Sequence, residues 1–195
     1  DSGASMNNIP NRKNIVVLNS NISKIKNFRK LIQNSNYIFC LQGLNGHSHS
    51  MNFPIEDAKE NIITNLFILE NCKKYNPNIK IFYTSTRQVY GKQISKKLVS
   101  ENLKTNPLDI NGISKVSSEM YYSFYKKYYD LNITILRLTN IFGKNMRIKD
   151  SKLNFLGYWI KESITKNKIQ IFGKGDHIRD YLYIDDLISI FIKLM

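Results

Sequence analysis

Cysteine is scarce: Cys40 and Cys72 are the only two in 195 residues. Two thiols in apolar surroundings cannot make a disulfide framework, and they read as buried free thiols of a reducing compartment, the cytoplasm. No apolar run approaches the roughly 18 residues of a membrane span, and no signal peptide is visible. Internal repeats and low-complexity segments are missing too. Acidic residues are outnumbered, 15 against 29 lysines and arginines, for a net charge of +14. That balance invites nucleic acid, yet the lysines are scattered in pairs such as Lys73-Lys74, Lys96-Lys97 and Lys126-Lys127, with no long basic run. Asn and Ile are abundant as well, the mark of an AT-rich coding sequence. The charge therefore excludes nothing and names no nucleic-acid partner, although an anionic ligand would be drawn by the field.

What is present is an apolar fraction of 42% with 12% aromatics, enough for a folded core. Four short runs are rich in β-branched and aromatic residues: Asn14–Asn19, Tyr37–Gln42, Ile79–Ser85 and Ile133–Asn140. Unbroken runs of this kind suit strands buried on both faces of a parallel sheet. Helical spacing connects them, over Ser23–Ile32, over Pro54–Lys74 and over Ile113–Tyr129. Alternating strands and helices imply βαβ units, hence a doubly wound α/β fold. After Asn140 the texture changes, to a helix in "NFLGYWIKESI", a strand with a turn in "KIQIFGKG", and a strand entering a helix in "RDYLYIDDLISIFIKLM". A boundary near Phe142 separates residues 1–142 from a smaller lobe, 143–195. The chain starts at Asp1 without an initiator methionine and stops at Met195 inside an apolar periodic segment, so it reads as a piece of a longer protein.

A Rossmann-like sheet that binds a dinucleotide normally carries G-x-G-x-x-G after its first strand. That motif is absent, and Gly43 and Gly46 in "QGLNG" follow the second strand seen. Other motifs are in place. "YTSTRQVYG" puts Ser85, Thr86, Tyr90 and Gly91 at the carboxyl end of a buried strand, where ligands collect in open α/β sheets. "NGISK", "LRLTNIFG" and "RDYLYIDDL" follow in order. The ordered set resembles the extended short-chain dehydrogenase/reductase family of NAD-dependent nucleotide-sugar epimerases and dehydratases, from about Asn14 to Met195. The resemblance implies a Rossmann-like parallel sheet that lacks its first β–α–β, followed by the start of a substrate lobe. It also implies NAD as cofactor, a nucleotide-diphosphate sugar as substrate, and a homodimer through helices 54–74 and 112–129. A chain without the phosphate loop should itself bind NAD poorly.

In that family a tyrosine and a lysine one helical turn apart share a helix face. The lysine and the oxidised nicotinamide lower the phenol's pKa so that it accepts a sugar-hydroxyl proton while hydride leaves, and a Ser or Thr hydroxyl steadies the oxyanion. By position, the resemblance assigns these catalytic places to Thr86, Asn111 and Lys115, with Asn111 where the tyrosine belongs. An amide exchanges no proton near neutrality. The base would be borrowed from Tyr90, from His47 or His49, or from a water held by Asn111 and Lys115; otherwise the protein binds its ligands without turning them over. Tyr122 and Lys126 repeat the tyrosine–lysine spacing near the far end of the helix, in a tyrosine-rich segment where the match is cheap. The resemblance gives cofactor contacts to Asn21, Ile22, Gln42, Gly43, Asn61, Ser85, Lys115 and Leu138, and substrate contacts to Thr86, Arg87, Asn140 and Arg179. "HSH" at His47–His49 lacks a third ligand at metal spacing, so no metal is expected. Asp185 and Asp186 suit a helix start.

Overall fold

The structure is a computed structural model that describes residues 8–44, 47–92, 98–146, 148, 155–171, 173–175 and 178–195, with the backbone alone at His47. Gly46 and the first seven residues lie outside the described residues. Two compact units divide the chain, Val17–Leu138 on one side and Asp1–Val16 with Thr139–Met195 on the other.

In the first unit, β1 (Tyr37–Cys40), β2 (Lys80–Thr86) and β3 (Ile133–Leu138) form a parallel sheet in that order. Cys40 faces Tyr83, and Ile81 faces Ile133 across the ladders. The run at Asn14–Asn19 makes no strand: it has no ladder partner among the described residues, and Val16 is 80% exposed. A β-branched run becomes a strand only where a neighbour pairs its N–H and C=O groups.

The expected helix over Ser23–Ile32 is also broken. A 3-10 turn at Ile22–Lys24 is capped by the Asn21 side chain, which accepts from Ser23 N–H at 3.0 Å and from Ser23 Oγ–H at 2.8 Å, and α1 begins only at Phe28–Gln33. Local side-chain bonds of this type compete with a regular helix. The short α2 (His47–Asn52) carries no apolar periodicity and was not legible in advance. Then α3 (Pro54–Ala58) and α4 (Thr64–Tyr75) run on through a π-type turn at Lys59–Ile63, with Pro54 in the first turn where its missing N–H costs nothing. Asn76 closes α4 by donating its amide to the carbonyls of Ile32 and Ser35 at 2.9 and 2.8 Å. Next comes α5, Ile110–Tyr128. Apolar side chains of α4 and α5, among them Leu69, Cys72 and Tyr122, join Cys40, Ile81, Tyr83 and Ile133 of the sheet in one buried core. Both cysteines are free and buried.

In the second unit, β4 (Asn140–Phe142) pairs in parallel with β5 (Tyr181–Tyr183), with α6 (Phe155–Lys166) between them in sequence and α7 (Ile184–Leu194) leaving β5 directly. Asp185 and Asp186 do stand in the first turn of α7. The expected strand around Ile169–Ile171 is absent among the described residues: both isoleucines are exposed, and the Gln170 carbonyl accepts Trp159 Nε1–H at 2.9 Å in place of a ladder bond.

Candidate functional site

Asp109 starts α5 by accepting the Gly112 N–H on its Oδ1 at 2.7 Å. This fixes the phase of the helix, so that Asn111 and Lys115, four residues apart, look the same way and are both buried. Lys115 Nζ donates to the Thr84 carbonyl at 3.2 Å and lies 5.2 Å from the Tyr83 ring centre. Burial pushes Lys115 down to about 8, against the upward pulls of Asp57, Cys40 and Glu119.

The loop after β1 closes on this ammonium. Gly43 takes φ +142°, and a Cβ there would stand 2.3 Å from Asn61 Oδ1 and 3.2 Å from Lys115 Nζ. Only glycine lets the backbone come this close to those two groups. Asn61 sits in the π-type turn, a feature that often marks functional positions because it re-aims a side chain. Its Nδ2 donates to the Leu44 carbonyl at 3.3 Å, whereas its buried Oδ1 has no partner among the described residues. The Asn61 carbonyl is taken up by Asn65 Nδ2–H at 2.7 Å and by Ser118 Oγ–H. Asn65 Oδ1 in turn accepts Gln42 Nε2–H at 2.8 Å and Tyr122 O–H at 2.7 Å. A donor cation, an orphaned amide oxygen and a glycine without room for a side chain thus share one small region. That chemistry suits the hydroxyl groups of a ribose, which both donate and accept.

Asn111 is part of the wall. Its Nδ2 donates to the Leu44 carbonyl at 2.7 Å and to Asp57 Oδ2 at 3.3 Å. The residue at the tyrosine register therefore ties α5 to the loop and to α3.

The remaining sequence-derived residues lie elsewhere, some on β2, β3 and α5 of the first unit and others in the second unit. Along β2, Tyr83 stacks on Tyr122 of α5 at 4.2 Å, and strand alternation sets Ser85 on that same face and Thr84 and Thr86 on the other. Ser85 Oγ is buried without a partner among the described residues. Thr86 Oγ1 accepts the Gln88 N–H at 3.3 Å, which leaves its own hydrogen to give, and no hydrogen bond joins it to Lys115. Arg87 is exposed at the following turn, and Leu138 ends β3. Tyr90 accepts Arg137 Nη1–H at 2.8 Å, beside the Arg137–Glu119 ion pair. Tyr122 lies in the core, and Lys126 donates to the Ile133 carbonyl at 3.0 Å. The His49 ring packs on Phe53, with Glu56 at 3.9 Å. In the second unit, Asn140 donates to the Asp180 carbonyl at 2.9 Å, and Arg179 is exposed, bonded to its own neighbour's carbonyl.

Sequence reasoning missed Asp57, Asn65 and Ser118. The signal was present: Asp57, Asn61 and Asn65 recur every four residues on the same buried face as Ile68, Leu69 and Cys72, where polar side chains need a reason to be.

The sequence model of the NAD dependent epimerase/dehydratase family matches residues 1–195. An uncharacterised UDP-glucose epimerase of Bacillus subtilis is 33% identical over 132 residues, covering 68% of this chain and 40% of that protein. The crystal structure of UDP-glucose 4-epimerase from Thermotoga maritima with UDP-glucose matches with a TM-score of 0.87 at 26% identity, over 100% of this chain and 62% of that one. The UDP-glucuronic acid 4-epimerase of Bacillus cereus, in complex with UDP-glucuronic acid and NAD, gives 0.77 at 28% identity, over 90% and 54%. The chain thus spans less than two thirds of the length of each of these proteins.

Proposed function

The chain belongs to the NAD-dependent epimerase/dehydratase family, and from that membership we propose that it holds NAD at the carboxyl edge of β1 and β2 and converts a nucleotide-diphosphate sugar through transient oxidation. The convergence of Gly43, Asn61 and Lys115 carries this reading. Lys115 Nζ would donate to the nicotinamide ribose, and the unpartnered Asn61 Oδ1 would accept from it. Gln42 steadies the same corner through Asn65. NAD, when bound, supplies the hydride acceptor. Of the two strand-end hydroxyls, Ser85 stands on the face of β2 that α5 and Lys115 cover and would give its hydrogen to the developing oxyanion, the place the resemblance assigns to Thr86, whose side chain alternation turns to the other face. Family motifs give Asn21 and Ile22 to the adenine end, and Arg87, Asn140 and Arg179 to the sugar nucleotide, where a guanidinium fork matches a diphosphate. Lys115, brought down by burial to about 8, can exchange a proton through a bound water where the phenol is missing. The setting is the cytoplasm; no helix among the described residues is long and apolar enough to cross a membrane.

The test uses the protein both as the 195-residue chain and as the complete gene product, with NAD and a panel of sugar nucleotides, and identifies products by mass spectrometry and NMR. An epimerised or dehydrated sugar nucleotide supports the reading, and unchanged substrate across the panel removes it.

A second reading rests on the tied-down Asn111: a binding protein of the same fold that does not turn its ligand over. In that case Lys115→Ala changes sugar-nucleotide affinity alone, and Asn111→Tyr raises turnover from nothing. Native turnover abolished by Lys115→Ala excludes it.

A further inference from the structure

A carboxylate removed from water must find a partner charge or a full set of donors. Asp57 of α3 has no exposed surface, and its two oxygens fare differently. Oδ2 accepts the Asn111 amide at 3.3 Å, whereas Oδ1 has no hydrogen-bond partner among the described residues. One hydrogen bond from a neutral amide does not balance a buried negative charge. Lys115 is the one lysine or arginine buried among the described residues, and it follows Asn111 by one turn on the same face of α5.

The other groups that face Lys115 cannot serve as its counter-charge. Cys40 on β1 is a thiol whose ionisation burial pushes up to about 11, so it is neutral. Glu119 on α5 is already bound by Arg137, with contacts of 2.7 and 3.1 Å. Tyr83 on β2 presents its ring. The anion left over is Asp57. We propose that Asp57 is a positioning residue for Lys115: its buried carboxylate is the counter-charge of the ammonium, tethered to the same face of α5 by the Asn111 amide. The residue at the tyrosine register has then become the link between an acid on α3 and the site lysine. Its value to a ligand rests on the proposed function, but the charge pairing itself does not.

The experiment needs no ligand. The chain is produced with lysine carrying ¹³C at Cε, and its NMR signals are followed from about pH 6 to about pH 11, a range that brackets a perturbed and an ordinary lysine. The signal missing from Lys115→Met is assigned to Lys115. Its midpoint is expected near 8 in the parent chain. In Asp57→Asn it is expected to fall by roughly one unit or more, since an opposite charge nearby favours the charged lysine. Asp57→Ser, which removes the charge with a smaller group, gives the same fall and stands in should the amide variant not fold. Asp57→Glu keeps the charge and restores the midpoint, an outcome that mere packing would not produce. A midpoint unchanged in folded Asp57→Asn or Asp57→Ser overturns the proposal. The two readings separate cleanly. An unchanged midpoint in an active enzyme removes the Asp57 pairing alone. A shifted midpoint in a protein inert toward every sugar nucleotide keeps the pairing and removes the proposed function.

Discussion

Lys115 is 5% exposed, so its charge is held against a large loss of hydration. Below about pH 8 both folded and unfolded chains carry that charge, and the full burial penalty is present. Above it the folded state sheds the proton first, so the contribution of Lys115 to stability rises with pH between about 8 and 10.5, the ordinary value for lysine. The gain is roughly 3 kcal/mol over the whole interval. Burial also holds the Cys40 and Cys72 thiols up at about 11 and about 12, which lowers stability above about pH 9 in parent and variant alike. Urea unfolding at the two ends of the interval should therefore show the Lys115 gain as the parent's stability rising relative to that of Lys115→Met. Asn111 argues at the same scale. Its amide meets a carbonyl and a buried carboxylate, so Asn111→Ala should cost about 2–3 kcal/mol in urea unfolding; a change under about 0.5 kcal/mol, ordinary for a surface site, would mean the ties carry nothing. The identity of Asn111 and its register before Lys115 were readable from the motif. Its direction was not, because the partners Leu44 and Asp57 lie far from it in sequence and nothing in the spacing names them.

The elements themselves follow local rules more closely than their partners do. Tyr37–Cys40, Lys80–Thr86 and Ile133–Leu138 form because each apolar run finds a neighbour in the sheet. Asn14–Asn19 and Ile169–Ile171 have similar composition and stay out of strands among the described residues, because a strand is a property of a pair. The π-type turn at Lys59–Ile63 was equally hidden, since a five-residue widening leaves the helical period almost intact. One cross-element tie is strong enough to measure. Arg137 on β3 meets Glu119 on α5 through a fork of Nε and Nη2 contacts between 2.7 and 3.1 Å, while its Nη1 reaches Tyr90 and the Glu101 carbonyl. Glu119→Ala strips the guanidinium of its main partner in a half-buried setting, and a loss of roughly 2–3 kcal/mol is expected in thermal or urea unfolding. Glu119→Gln, which retains acceptors without the charge, should lose less.

At the scale of the whole molecule, α5 leaves a stripe of apolar side chains uncovered: Ile113, Met120 and Phe124, each more than 40% exposed. The homodimer that the family resemblance implies, through helices 54–74 and 112–129, would cover it with a second copy, and Met120→Glu should then shift sedimentation from dimer toward monomer at micromolar concentration without lowering the stability of the monomer. A parent chain that sediments as a monomer removes the homodimer. The chain has no G-x-G-x-x-G, so calorimetry on these 195 residues should find NAD binding weaker than roughly 100 μM. Chemistry is the central claim, and absorbance at 340 nm tests it most directly: the complete gene product is mixed with NAD and each sugar nucleotide, alongside its Lys115→Met variant. A reduced-nicotinamide signal that appears in the parent and falls by about 100-fold or more in Lys115→Met is the predicted result. Equal signals in the two proteins would contradict the account.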